Sequence, residues 1–315
     1  MAELLTARVL IGIAGSGIRL ATSYLYAALG ETFGQRSGVL NLGVDGIMLM
    51  GAYSAFYITR NTGSPWLGLL VALLVGTAMG LAMAFISVTL KAEQGISGIG
   101  VYLFGLGMSD LLFQKTLGNI ETISGFQSLH IPALSESSNL LLRAIGEIFL
   151  SHNILVYIAF ALVPISAFVL NKTTIGLQIR AVGQNPEAAD TLGVNVNLVR
   201  YCTVTFGGLM AGAAGASLSI ALLNVFQQNL TAGQGFIAVA LVYFGAWRPF
   251  GVLAGAMIFS LVNALQVWVQ VLGIPIPSDI AVMMPYVLTI LALVVAVQRV
   301  EEPAALTKPF ERGEH

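Results

Sequence analysis

Runs of about 20 apolar residues recur from one end of the chain to the other, and no other feature restricts the fold as strongly. A bilayer core about 30 Å thick is crossed by a helix of roughly 20 residues rising 1.5 Å each. Candidate spans lie at 8–29, 40–58, 66–90, 96–113, 153–170, 200–221, 236–247, 250–272 and 281–298. Hydrophobic residues make up 57% of the chain and charged residues only 9%, where a soluble domain carries about a quarter. A surface so poor in charge belongs in lipid. The expected fold is all-α, a polytopic membrane bundle of about 8–10 transmembrane helices over residues 1–298, followed by a tail at 299–315.

The same composition removes several functions. A net charge of −1 and the lack of any basic run exclude nucleic acid as a partner. Cys202 is the only cysteine, so neither an internal disulfide nor a cysteine-rich metal site is available. His130 and His152 have no companions at metal-ligand spacing. The first apolar stretch contains Arg19 and leads into further spans, which makes it a span and not a signal peptide.

Two spans are irregular. The run Ala232 to Trp247 is short, and Ser37 to Tyr53 is interrupted by Gly38, Gly43, Asp45, Gly46 and Gly51. Non-helical backbone survives in hydrocarbon only where protein or a watery cavity covers it, and broken segments in both halves of a chain point to a central pathway. Such glycines also serve close helix packing. A faint internal echo links Gly43-Val44-Asp45-Gly46 to Gly233-Gln234-Gly235-Phe236. The pattern Gly208 to Gly212 reads as a helix-packing seam.

Loop charges set the orientation. If the 171–199 connection is cytoplasmic, Arg36, Lys91, Lys172, Arg180, Arg200, Arg248, Arg299, Lys308 and Arg312 share its side, against Arg8, Arg60, Lys115 and Arg143 opposite. Positive charge is retained inside, so the tail is expected to be cytoplasmic and frayed. Segment 114–152, with Pro132, Ser135, Ser137 and Ser138, becomes an external connection in which 140–150 can form an interfacial helix. An odd span count places the N-terminus outside.

Within the 176–198 loop the residues specify a short helix at both ends. Asn185 is an N-cap, Pro186 suits the first helical position, and Glu187 and Asp190 match the helix dipole. Gly193 is placed to close it in the left-handed conformation. Such a helix is either an amphipathic turn on the membrane surface or a rigid peg that docks into another protein.

Arg180-Ala-Val-Gly183-Gln-Asn185-Pro186-Glu187-Ala188-Ala189, with Asp190 and Gly193, resembles the cytoplasmic loop of bacterial ABC importer permeases of the branched-chain amino acid and simple-sugar superfamily. Arg36-Ser-Gly-Val-Leu-Asn41-Leu-Gly-Val-Asp45-Gly is similar to the signature of its nucleoside-type branch, which works with basic-membrane-protein-like binding lipoproteins. The sugar-type and amino-acid-type signatures are absent. The resemblance implies a type II ABC importer-like permease in the bacterial inner membrane, and makes Arg180, Gly183 and residues 185–190 and 193 a coupling helix. It implies a second permease subunit, identical or related, ATPase subunits that hold ATP and magnesium, and an external lipoprotein. No cofactor and no enzymatic activity are expected in this chain itself, which lacks a Gly-x-x-x-x-Gly-Lys-[Ser/Thr] loop.

Polar residues inside spans tend to face an interior or a cavity. Candidates for a translocation path are Asn41, Asp45, Ser97, Asp110, Gln234, Asn263 and Gln266, with Asn224, Gln227, Gln228 and Asn229. Phe226, Phe236, Tyr243 and Trp268 are candidates for stacking on a base. Each has a plainer role: Asp45 as a half-helix cap, Asp110 as a hydrated end, 224–229 as an external loop, Asn263 and Gln266 as helix cross-links. Simple sugars or a flavin-like vitamin are alternative substrates. A stand-alone secondary transporter or channel is the competing class, and an intramembrane enzyme finds no supporting constellation.

Overall fold

Most helices of this chain begin where a polar cap or a proline interrupts an apolar run, while α2 and α9 start at Gly43 and Gly233. The computed structural model describes residues 7–129, 146, 148–272, 283, 287, 290–291 and 301–312. In order, the helices are α1 (Ala7–Arg36), α2 (Val44–Thr62), α3 (Pro65–Ala84, running into a π turn at Phe85–Thr89) and α4 (Gln94–Thr116). There follow α5 (Ile154–Lys172), α6 (Thr174–Gln184), α7 (Pro186–Thr191), α8 (Val196–Ser217, with a π turn at Leu218–Leu222), α9 (Gln234–Phe244) and α10 (Pro249–Val271). Glu93, Asn153, Thr173, Asn185 and Asn195 each accept a backbone N–H of the turn they open, and Pro65, Pro186 and Pro249 stand where no N–H is needed.

Among the described residues, six helices are long and apolar enough to cross a membrane: α1, α3, α4, α5, α8 and α10. Together with the buried α2 and the 11-residue α9, they make an all-α, multi-pass bundle. Among the described residues the only β features are two isolated bridges, Thr122 with Val225 and Ser128 with Asn153. Contacts fix the helix directions. α1 descends to the end that carries α6 and α7, since an added Cβ on Gly183 would strike the Arg36 carbonyl. α2 climbs away, α3 returns to set Thr89 beside Tyr201, and Arg60 pairs with Glu121 at 2.6 Å at the opposite end. These two ends are called the loop end and the far end.

The core sits around α8, against which α1, α2 and α3 pack. The seam with α3 is glycine on glycine: a methyl added at Gly80 would stand 2.9 Å from the Gly208 Cα. Close approach lets two backbones gain dispersion contact where lipid offers no hydrophobic drive. The packing reading of Gly208 and Gly212 is therefore the one the fold uses.

Two expectations change. The break in the first half is narrower than the sequence suggests, covering 37–43 only; Gly46 and Gly51 are helical and buried. The tail over 301–312 is not frayed but packed, for reasons set out below. Most of the last expected span at 281–298, most of 140–150, and His130, Pro132, Ser135, Ser137 and Ser138 lie outside the described residues.

Replacing Gly208 with leucine is expected to destabilise the detergent-solubilised protein by about 1–3 kcal/mol through overpacking. Gly107→Ala, where nothing lies within 4 Å of the added Cβ, serves as the control and should not lower the thermal midpoint.

Candidate functional site

The two irregular segments meet inside the bundle. α2 starts inside and runs to the far end; α9 starts inside and runs to the loop end, so their N-termini face one another. Asp45, in the first turn of α2, accepts the Gly235 N–H at 2.7 Å and the Thr231 hydroxyl at 3.0 Å. One carboxylate thus caps the helix it does not belong to, at the end where the helix dipole is positive. The approach requires glycine, because a Cβ on Gly235 would fall 2.7 Å from that of Asp45. Beside it the Ser23 hydroxyl donates to Gln234 Oε1 at 3.0 Å, and Phe236 meets Tyr102 edge-on at 5.0 Å. Ser23 lies 13 residues above Arg36, about 20 Å at helical rise, which places the junction deep in the bundle.

Below the junction, non-helical backbone at 37–43 must find partners without water. Glu31, 2% exposed, takes the Asn41 N–H at 2.9 Å and the Gln35 amide at 3.1 Å. Gln35 Oε1 in turn accepts the Trp247 indole N–H at 2.8 Å, and Gln94 Oε1 accepts the Leu40 N–H at 2.8 Å. Asn41 Oδ1 accepts the Gly43 N–H at 2.9 Å. The linker and the Ala246–Trp247 corner, both residues of which have positive φ, are held by one polar cluster.

The loop end is stitched by the tail. Arg200, 2% exposed, donates to the Ser37 carbonyl at 3.2 Å and to the Lys308 carbonyl at 3.0 Å. The Ala305 N–H reaches the Gly183 carbonyl at 2.9 Å, and the Thr307 N–H reaches the Gly38 carbonyl at 3.1 Å. Arg312 pairs with Asp190 at 2.8 Å, and Lys91 pairs with Glu311. A buried guanidinium needs acceptors, and the Lys308 carbonyl supplies one beside that of Ser37, which with the Ala305 and Thr307 amide bonds holds 301–312 against the loop end. Arg200 is correspondingly not a loop charge facing headgroups.

α7 takes the geometry its residues specify. Asn185 Oδ1 accepts the Ala188 N–H at 2.9 Å, and Gly193 closes the turn at φ +85° with its N–H on the Asp190 carbonyl at 2.9 Å. Ala189 packs inward on Val182 and Val196, while Glu187, Ala188 and Leu192 face outward, Leu192 with 85% of its surface exposed. Arg180 stays on α6, its Nε on the Gly176 carbonyl at 3.4 Å.

The path candidates do not form one group. Asp45, Gln234 and Phe236 are together; Asn41 is spent in its own turn; Ser97 lies half-buried on α4 next to Gly98, which packs on Leu42. Asn263 and Gln266 are half-buried on α10 and make no hydrogen bond to the junction among the described residues. Gln227, Gln228 and Asn229 are exposed in a loop. Asp110 is half-buried with one carboxylate oxygen unpartnered, unlike a hydrated end. Phe226 is fully buried among Tyr53, Phe56 and Phe113, Trp268 is committed to Gly12 and Ser16, and Tyr243 packs on Trp247. None of these three rings is free to stack on a solute. Glu31, Gln35, Gln94 and Trp247 were not marked as site residues in the sequence, and Arg200 was read only as a loop charge. The available signal was Glu31, the only acidic residue in α1, since an intramembrane carboxylate is a site candidate by default.

Residues 13–293 match the family model described as the branched-chain amino acid transport system permease component. A putative glucose ABC transporter permease of Haloferax volcanii is 38% identical, covering 96% of this chain and 98% of that one. A guanosine ABC transporter permease of Bacillus subtilis is 35% identical over 93% and 94% of the two chains. A nucleoside ABC transporter permease of Lactococcus lactis is 33% identical over 90% and 92%. No solved structure matches the chain.

Asp45→Ala strips Gly235 and Thr231 of their acceptor and is expected to cost about 3 kcal/mol, read as a fall in thermal midpoint on the order of 5–10 °C. Asp45→Asn, which keeps one acceptor oxygen, should lose about half as much.

Proposed function

The chain belongs to the branched-chain amino acid transport permease family, and on that premise we propose that it is the membrane-spanning permease of an ATP-driven importer of nucleosides. The guanosine and nucleoside permeases among its relatives support that substrate, as does the Leu40-Asn41-Leu42-Gly43-Val44-Asp45-Gly46 segment. A simple sugar is the second reading, favoured by the putative glucose permease at 38% identity. Both solutes carry a hydroxylated ring, and the junction at Asp45, Ser23, Gln234 and Phe236 offers polar and aromatic groups to such a ring.

One observation carries the mechanism: α7 is capped at both ends, fixed to its base by Ala189, and turns Glu187, Ala188 and Leu192 outward at the end rich in arginine and lysine. A short rigid helix with an exposed leucine at its tip suits insertion into a separate cytoplasmic ATPase, which would hold ATP and magnesium and perform the hydrolysis. In this reading α6, α7 and the tail are cytoplasmic. Motion received at α7 passes through Gly183 to Ala305 and Arg36, and through Arg200 to the 37–43 linker below Asp45. A second permease subunit and an external binding lipoprotein complete the assembly. Gly183 is a poor place to test docking, because any side chain there strikes the Arg36 carbonyl.

Glu187→Arg and Leu192→Asp alter only outward-facing side chains. Each is expected to reach the membrane at normal levels, to lose the ATPase on co-purification, and to lower solute uptake at least tenfold. A carrier acting alone would keep its uptake in both variants.

A further inference from the structure

At the loop end the tail finishes between two elements with a gap between them. The gap is a cavity of about 430 Å³, lined by Lys91 of the α3–α4 turn, Asp190 of α7, Asn195 before α8, and Phe310, Glu311 and Arg312 of the tail. Consecutive tail residues reach its two sides. Arg312 Nε donates to Asp190 Oδ2 at 2.8 Å, and the Lys91 ammonium pairs with Glu311. The chain behind them is anchored: Phe310 packs on the cluster of Val182, Ala189 and Val196 at the base of α7, and Leu306 is buried in the main core. With Ala305 and Thr307 bonded to Gly183 and Gly38, and Lys308 to Arg200, the segment 305–312 is fixed along its length.

Lys91 is a firm point of attachment. It sits in a tight turn whose Leu90 and Ala92 N–H groups bond back to the Phe85 and Ile86 carbonyls at 3.0 and 3.2 Å. Two residues on, Glu93 caps α4 by accepting the Gly95 and Ile96 N–H groups. A pull on Lys91 is therefore a pull on the start of α4. That helix walls the Asp45 junction. A methyl on Gly98 would stand 2.7 Å from the Leu42 nitrogen, one on Gly105 would stand 2.3 Å from the Gly46 carbonyl oxygen, and Tyr102 meets the Phe236 ring. Leu42 and Gly46 lie on either side of Asp45, and Phe236 is in the first turn of α9. Backbones this close have no slack, so a movement of α4 displaces the junction.

We infer that Glu311 and Arg312 are positioning residues of the transport cycle. The tail is a strut that ties α7 to the α3–α4 turn, so that a shift of α7 is delivered to α4 and through it to the Asp45 junction. The ion pairs suit this role. The Arg312 and Asp190 side chains are 79% and 20% exposed, those of Lys91 and Glu311 39% and 36%, so neither pair adds much stability. Both bear on position without holding the fold together. This route is separate from the one through Arg36 and the 37–43 linker. The inference rests on the proposed docking of an ATPase at α7 and adds to it the residues that carry the motion onward.

The test uses the complete transporter, this permease with its ATPase, second subunit and binding protein, reconstituted in vesicles. Radiolabelled guanosine or glucose imported per ATP hydrolysed is measured for wild type, Lys91→Glu, Glu311→Lys, the double reversal, Arg312→Ala and Arg312→Lys. Each single reversal and Arg312→Ala is expected to lower that ratio about threefold. The ATPase should stay bound and the thermal midpoint should stay within about 2 °C. The double reversal and Arg312→Lys should keep the wild-type ratio, because the charge pair is intact in both. An unchanged ratio in the single reversals, or no recovery in the double, overturns the strut and leaves docking at α7 standing, which Leu192→Asp reports separately. A fallen midpoint or a lost ATPase in the single variants assigns the tail to folding or docking and also overturns it. If wild type imports neither solute, the proposed function fails and the strut with it.

Discussion

Hydrocarbon supplies no water, and every interruption of a helix within it must be satisfied by the protein. In this chain that constraint is met at one carboxylate. Asp45 takes the Gly235 N–H and the Thr231 hydroxyl, and so holds the start of α9 against the start of α2. Without such an acceptor two helix N-termini, each with partial positive charge, would face one another across a low-dielectric space. The carboxylate makes the junction attractive, and glycine at 235 lets the backbones come close enough for it to reach.

The same logic repeats lower down with different atoms. The 37–43 linker gives its amides to Glu31, Gln94, Asn41 and the end of α1, and its Gly38 carbonyl to the tail. Glu31 and Gln35 then reach Trp247 across the bundle, so the break in the first half and the corner after α9 are parts of one cluster. At the loop end Arg200 collects carbonyls from the linker and the tail. In the proposed coupling, a displacement of α7 would reach Asp45 through these bonded groups. The exposed ion pairs, Arg312 with Asp190 and Lys91 with Glu311, add positioning more than energy.

Much of this was legible from residue order alone. Asn185, Pro186 and Gly193 fix a capped helix by local chemistry that needs no tertiary partner, and α7 has those ends. Apolar run length located α1, α3, α4, α5, α8 and α10 because span length is set by the bilayer. The echo of Gly43-Val44-Asp45-Gly46 in Gly233-Gln234-Gly235-Phe236 turned out to mark two half-helix starts that touch. The roles of polar side chains were harder to read. Phe226 and Trp268 look like stacking rings in sequence, yet neighbours from distant helices enclose them. His152 looked idle without metal-ligand company, and the structure buries its ring with Nε2 on the Ile148 carbonyl.

Sequence by itself determined that the chain lives in a membrane, where six of the nine expected spans lie, and where a short rigid helix interrupts the basic loop. These follow from composition, period and capping, all of which act within a few residues. Only the tertiary structure decided that Asp45 caps α9, that Glu31 carries the linker, and that the tail is bound to Arg200. Those pairings join residues more than a hundred positions apart or hidden in a broken segment, and a buried polar group's partner is set by which backbones pack together, a property that no local pattern encodes.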